Sequence, residues 1–219
     1  RRIHRILGVP KDRITVALPG ATPRGEPGDI EQALAAHQIR RDRPIVLSTS
    51  GRLPHKNLGV LLRAMAAIPL AERPTLVVTG GGERDPLAKE VATLGLSEHV
   101  VLPGWLSRGD VEAIFDASDL YCTTSLAEGF GFPLLDAMVR GKPVLASDIE
   151  VFHEVAGDAV AYADPRDPQD VARQLSRLLA NPGTTRALAE RGRQRAGDFS
   201  WAVAAEATVS ALQRAWRNG

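Results

Sequence analysis

"LYCTTSLAEGFGFPLLDAMVRGKPVLAS", residues 120–147, holds two short apolar runs separated by one helical pattern. "LYCTTS" (120–125) and "PVLAS" (143–147) have the length and composition of buried strands, while "PLLDAMVRG" (133–141) repeats apolar residues at helical spacing and closes on a glycine. Two strands joined by one helix run parallel, because the helix carries the chain back to the starting edge. The alternation extends outward on both sides. Strands read at "RITVALPG" (13–20), "PIVLSTSG" (44–51), "TLVVTGGG" (75–82), "HVVLPG" (99–104) and "AVAYADP" (159–165), with helical patterns at 57–68, 85–95, 107–118 and 167–182. Near-continuous apolar strands need cover on both faces, which predicts an α/β fold, a doubly wound, Rossmann-like parallel sheet flanked by helices. Residues 1–200 are assigned to this domain. Further helical patterns at 184–196 and 201–216 follow the last strand, and residues 201–219 are set apart as a C-terminal helix that packs here or on a neighbour outside the chain. The Pro/Gly-rich "GATPRGEPGD" (20–29) reads as a loop or hinge.

Composition narrows the function classes. The 219 residues are 44% hydrophobic and 24% charged, ordinary for a globular protein with a sizeable core. A net charge of +1 gives no electrostatic case for nucleic acid as a partner. The single cysteine, Cys122, cannot form an internal disulfide; it reads as a buried strand residue and suits a reducing, cytoplasmic compartment. No run approaches the roughly 18 consecutive apolar residues of a membrane span, and the basic start "RRIHRILGVP" lacks the features of a signal peptide. The chain opens without methionine and in mid-pattern, as a piece of a longer protein would.

In parallel sheets ligands sit beyond the carboxyl ends of the strands, where helix N-termini present amides to anions. Three strand ends carry suitable residues. "TSGRLPHKN" (49–57) sets Arg52, His55 and Lys56 before a helix, as diphosphate-binding cations or as solvated turn charges. "TGGGERD" (79–85) offers close backbone approach to a ligand or only a tight turn; it is neither a dinucleotide fingerprint nor a P-loop. In the opening stretch, Pro133 suits a first helical position, so a helix N-terminus faces the strand ends. Glu128 there is a hydroxyl acceptor or a cap, and Asp136 in the first helical turn is a ligand or a dipole-compensating acid.

Residues 128–147 resemble the signature of retaining GT-B glycosyltransferases of the large family 4 type, an EGFG-x-P-x-x-E-A-M-A-x-G-x-P-V-x-A-S run with two acids eight positions apart. "GRLPHKN", "LVVTGGG", "GWL" before "DVEAIFDASDLYCTTS", "EVAGDAV" and "FSW" follow in the family's order. The similarity covers essentially the whole chain, as the C-terminal, donor-binding half of a two-domain enzyme. It implies that Arg52 and Lys56 neutralise the donor diphosphate and that Trp105, Leu106 and the residue after them receive the nucleobase. Glu128 would contact sugar hydroxyls, Gly82 and the amides of Gly129, Phe130, Gly131 and Phe132 would face the donor, and Asp136 would hold the ribose. Glu128, Lys56 and Arg52 are then the catalytic set. The resemblance further implies hexosyl-type transfer with retention from a UDP-, GDP- or ADP-sugar, without metal or cofactor, to a sugar, lipid or other acceptor on an N-terminal domain outside this chain. Any contact with the inner face of a membrane would reside on that half, and this domain alone would be inactive.

Two positions depart from the pattern. The turn at 51–57 is one residue short, which aligns Lys56 but sets Arg52 out of register, with His55 where many members carry arginine. Asp136 replaces a glutamate, shortening its reach by about 1.5 Å. Against the enzyme reading stand a non-catalytic nucleotide-sugar-binding or interaction module on the same fold, and a sugar-nucleotide epimerase that only shared architecture favours.

Overall fold

The computed structural model describes residues 6–82 and 84–217; the first five residues of the basic start, Glu83 of the glycine-rich turn and residues 218–219 lie outside the described residues. The chain forms two compact units, Pro23–Ala196 and a smaller one built from the residues up to Thr22 and those from Gly197 onward.

The larger unit is a six-stranded sheet: β1 Ile45–Thr49, β2 Thr75–Thr79, β3 Val100–Val101, β4 Leu120–Thr123, β5 Val144–Ser147 and β6 Ala161–Ala163. Every pairing is parallel, in the order β3-β2-β1-β4-β5-β6. This is the Rossmann-like architecture that the alternation predicts. Val46 of the central strand pairs with Leu76 of β2 on one side and Leu120 of β4 on the other. The helices of this unit are α1 Ile30–Ala36, α2 Leu58–Ala67, α3 Leu87–Thr93, α4 Arg108–Ala117, α5 Phe132–Val139, α6 Glu150–Ala156, α7 Pro168–Leu179 and α8 Pro182–Ala196.

The core follows from the patterns. Val46, Leu76, Val78 and Leu145 of the sheet meet Leu61 and Met65 of α2 and Val171 and Leu175 of α7 in one cluster. Each such side chain stabilises the fold by about 1.5–3 kcal/mol when fully buried. Local signals set the helix starts: Ser107 Oγ accepts from Asp110 N at 3.1 Å ahead of α4, and Asp29 and Asp167 cap α1 and α7 in the same manner. Ser107→Ala is expected to lower unfolding stability by about 1 kcal/mol, read as a shifted denaturation midpoint with unchanged slope.

Two features differ from the sequence patterns. Residues 13–20 form no strand: a 3-10 turn, Lys11–Arg13, is followed by extended backbone at Ile14 with no ladder partner among the described residues. Val16 is 66% exposed there, because a β-rich composition makes a strand only where a neighbour pairs with it. Conversely, α1 and α6, about two turns each, fall where the sequence shows no helical pattern, whereas α3 of the same length sits inside a longer periodic stretch, 85–95.

In the smaller unit, α9 Trp201–Arg217 follows Phe199, whose carbonyl accepts from Ala21 N, and Arg214 reaches Thr15 Oγ1 at 2.9 Å. Among the described residues no helix is long and apolar enough to cross a membrane.

Candidate functional site

The strand order reverses between β1 and β4, which opens a crevice between the loops leaving their carboxyl ends. After β1 the chain makes a 3-10 turn, Pro54–Lys56, and Asn57 takes a left-handed conformation (φ 57) that asparagine tolerates. The Asn57 side-chain amide donates to the Thr124 carbonyl (3.0 Å) and the Pro165 carbonyl (2.6 Å); Leu126 N donates to the His55 carbonyl. The two loops are thereby stitched together across the crevice.

At the seam Lys56 Nζ donates to Glu128 Oε1 at 2.7 Å, with the side chains 17% and 11% exposed. Ser125, fully buried, donates its hydroxyl to the same Oε1, also at 2.7 Å. Among the described residues no donor reaches Oε2. The carboxylate is thus held by two donors on one oxygen while the other can accept from a ligand hydroxyl.

Behind Glu128, Gly131 (φ 94, ψ 46) precedes α5, and Phe132 and Pro133 begin that helix. A Cβ on Gly131 would lie 2.6 Å from Phe152 Cε1 on α6, whereas one on Gly129 would meet open space. Gly131 is therefore needed by the fold, and Gly129 leaves room for a close approach. Leu134 and Leu135 N both donate to the Gly131 carbonyl; no described carbonyl accepts from the amides of Gly131 and Phe132. Those amides and the positive helix end favour an anion. The Phe130 and Phe132 rings pack edge to face at 5.3 Å, and Phe132 is 42% exposed.

Asp136 lies beyond the first turn, because α5 starts at Phe132; its part as a dipole-compensating acid falls away. Arg140, one turn further, donates to the Asp136 carbonyl at 2.8 Å and stands 4.0 Å from Asp136 Oδ1. Arg140 itself is locked to Glu112 of α4 through two hydrogen bonds (2.8 and 2.5 Å) and lies over the Phe115 ring. Burial would raise the Glu112 carboxyl, but the Arg140 hydrogen bonds and charge and the Gly25 amide outweigh it and hold it below its ordinary value. This buried pair anchors the site helix; both residues lie inside the quoted motif stretches, yet neither is among the site residues read from the sequence. Its only trace in the sequence is a charged residue on the inner face of an amphipathic helix.

The glycine run behaves as three separate residues. Gly80 needs its φ of 84 and donates to the Gly104 carbonyl; Gly81 lies against the Arg52–Asp85 pair; Gly82 is exposed with nothing near it. Trp105 (81% exposed) and Leu106 occupy the loop between β3 and α4, at the same end of the sheet. Arg52 departs from the cluster: its guanidinium turns to Asp85 and to the carbonyls ending β1 and β2. Among the described residues there is no group of three or more His, Cys, Asp or Glu side chains arranged to hold a metal ion.

The sequence profile of the family described as "Glycosyl transferases group 1" matches residues 29–195. The chain belongs to the glycosyl transferases group 1 family. Among its group 1 relatives, the MMP alpha-(1->4)-mannosyltransferase of Mycolicibacterium hassiacum is 32% identical, over 78% of this chain and 43% of that protein. HepE of Anabaena, solved in complex with UDP, superimposes with a TM-score of 0.76 at 22% identity, covering 89% of this chain and 56% of that one. The C-terminal domain of the group 1 protein LpcC from Francisella tularensis does so with 0.64 at 21% identity, over 79% of this chain and 94% of that one. The chain spans about half the length of the curated relatives it matches.

Proposed function

We propose that this chain is the donor-binding domain of a glycosyltransferase that moves a sugar, with retention, from a nucleoside diphosphate to an acceptor held by a further, N-terminal domain. The observation that carries this reading is the Lys56–Glu128 pair at the β1/β4 crevice, beside the open amides that precede α5. Lys56 meets the diphosphate, Glu128 Oε2 accepts from a sugar hydroxyl, Gly129 to Phe132 bring their amides to the phosphates, and Gly82 allows close approach. Trp105 and Leu106 border the base, and Asp136 the ribose. That a protein with this fold has been solved in complex with UDP supports a nucleotide ligand for this chain.

In this reaction the bond between the anomeric carbon and the phosphate oxygen breaks and a bond to the acceptor oxygen forms on the same face. Negative charge gathers on the departing diphosphate, where Lys56 and the helix amides stabilise it without reorganising. A phosphate oxygen of the donor takes the acceptor proton, so the chemistry asks no metal of these residues. We place the enzyme in the cytoplasm, consistent with the buried free thiol of Cys122, with any membrane contact on the acceptor half.

Calorimetry of this chain with UDP, GDP and ADP tests the reading: one of them should bind, and Lys56→Ala should weaken that binding roughly tenfold or more, about 1.5 kcal/mol. Binding of none of the three defeats it.

A further inference from the structure

Arg52 has no N–H left for a diphosphate. Nε donates to both carboxylate oxygens of Asp85 (2.9 and 3.0 Å), Nη1 to the Ser50 and Thr79 carbonyls (2.5 and 3.0 Å), and Nη2 to the Val78 carbonyl and Asp85 Oδ2 (3.0 and 2.5 Å). A guanidinium carries five N–H donors, and these partners use all of them. Both side chains are nearly buried, 10% and 6% exposed. Asp85 also accepts from Leu87 N at 3.0 Å, which starts α3. Gly81 is pressed on the pair so closely that a Cβ there would fall 2.0 Å from Asp85 Oδ2 and 2.7 Å from Arg52 Nη2. Turning Arg52 toward a ligand would take its donors from the Ser50 and Val78 carbonyls, leave the Thr79 carbonyl only the Ser50 amide at 3.4 Å, and leave Asp85 buried without its counter-charge.

We infer that Arg52 and Asp85 are a positioning pair that fastens the turn after β1 to the glycine loop after β2, shaping the crevice wall beside Lys56 while Lys56 meets the diphosphate. The inference rests on the nucleotide-sugar reading and assigns Asp85 a part in it. A wall residue acts on the whole ligand; a phosphate ligand acts on the phosphates alone.

The test compares two affinities in each variant: that for whichever of UDP, GDP or ADP the wild type binds, and that for the matching nucleoside, by NMR titration. Arg52→Lys and Asp85→Asn should weaken both about three- to tenfold, keeping their ratio within twofold, whereas Lys56→Ala should weaken the nucleoside diphosphate roughly tenfold or more and leave the nucleoside unchanged. Gly81→Ala, which pushes on the pair from the backbone side, should behave like Asp85→Asn and serves if either substitution prevents folding. The inference is overturned if Arg52→Lys loses only the diphosphate ligand, if Asp85→Asn binds it more tightly, or if melting temperatures fall with both affinities unchanged. Should the wild type bind none of the three nucleotides, the reading beneath it has failed instead, and the inference goes with it.

Discussion

Arg140→Leu should destabilise the Pro23–Ala196 unit by about 3–5 kcal/mol in a denaturant titration, because it leaves Glu112 buried with no ion-pair partner and only the weaker pull of the Arg108 charge. The two side chains are 6% and 3% exposed, so water cannot replace the lost partner. The pH dependence should weaken as well. In the wild type the folded Glu112 carboxyl lies below its ordinary 4.5, so its contribution is present above that pH and is lost as pH falls through the lower folded value. In the variant the Gly25 amide and the Arg108 charge still lower the carboxyl, but desolvation, the largest single influence, is no longer offset by Arg140, so the folded value rises relative to the wild type. The stability that Glu112 contributes as pH rises above its folded value should shrink accordingly. Adding Glu112→Gln should recover part of the loss at neutral pH, since a neutral amide is less costly to bury than a lone carboxylate. A pH profile in the single variant unchanged from the wild type would show that the pair is not the source of the effect. Because Arg140 also holds the Asp136 carbonyl, nucleotide affinity should fall with stability.

Gly131→Ala is the second large effect, at about 2–5 kcal/mol: roughly 1–2 for a side chain in the left-handed region and about 1–3 for forcing a methyl group into a filled core. The φ of 94 and the 2.6 Å approach to Phe152 Cε1 act together. Combining the change with Phe152→Leu should relieve the steric part and leave the backbone part, a difference readable in urea midpoints. Gly129→Ala, whose added carbon meets open space, should cost less than about 1 kcal/mol in stability. If Gly129→Ala proves as destabilising as Gly131→Ala, the distinction between a glycine held by packing and one facing open space is wrong.

The sheet was legible because each strand announces itself within five or six residues and the helices between them, except α6, have a period. Boundaries near the loops moved by one or two positions, as at α5, which begins at Phe132 and so carries Asp136 past the first turn. What local pattern could not show is where long side chains go. Arg52 and Lys56 look equivalent in "GRLPHKN", yet one finds Asp85 from another loop and the other finds Glu128. Glu112 resembles any acid on a helix until the fold brings Arg140 beneath it. Residues 13–20 erred in the opposite direction, since their composition fits a strand but ladder partners are a tertiary matter.

The central position of β1 also governs how the chain can assemble. Its neighbour β2 is made soon after it, but β4, which pairs with Val46 and Leu47, is made much later. At synthesis speeds of about 5–20 residues per second, the interval is on the order of 4–15 s. Throughout that time one edge of β1 stands open, with backbone groups able to pair with any strand that arrives. The seam that later opens into the crevice is thus where the growing chain is most vulnerable to mispairing, and where a chaperone would have most to protect.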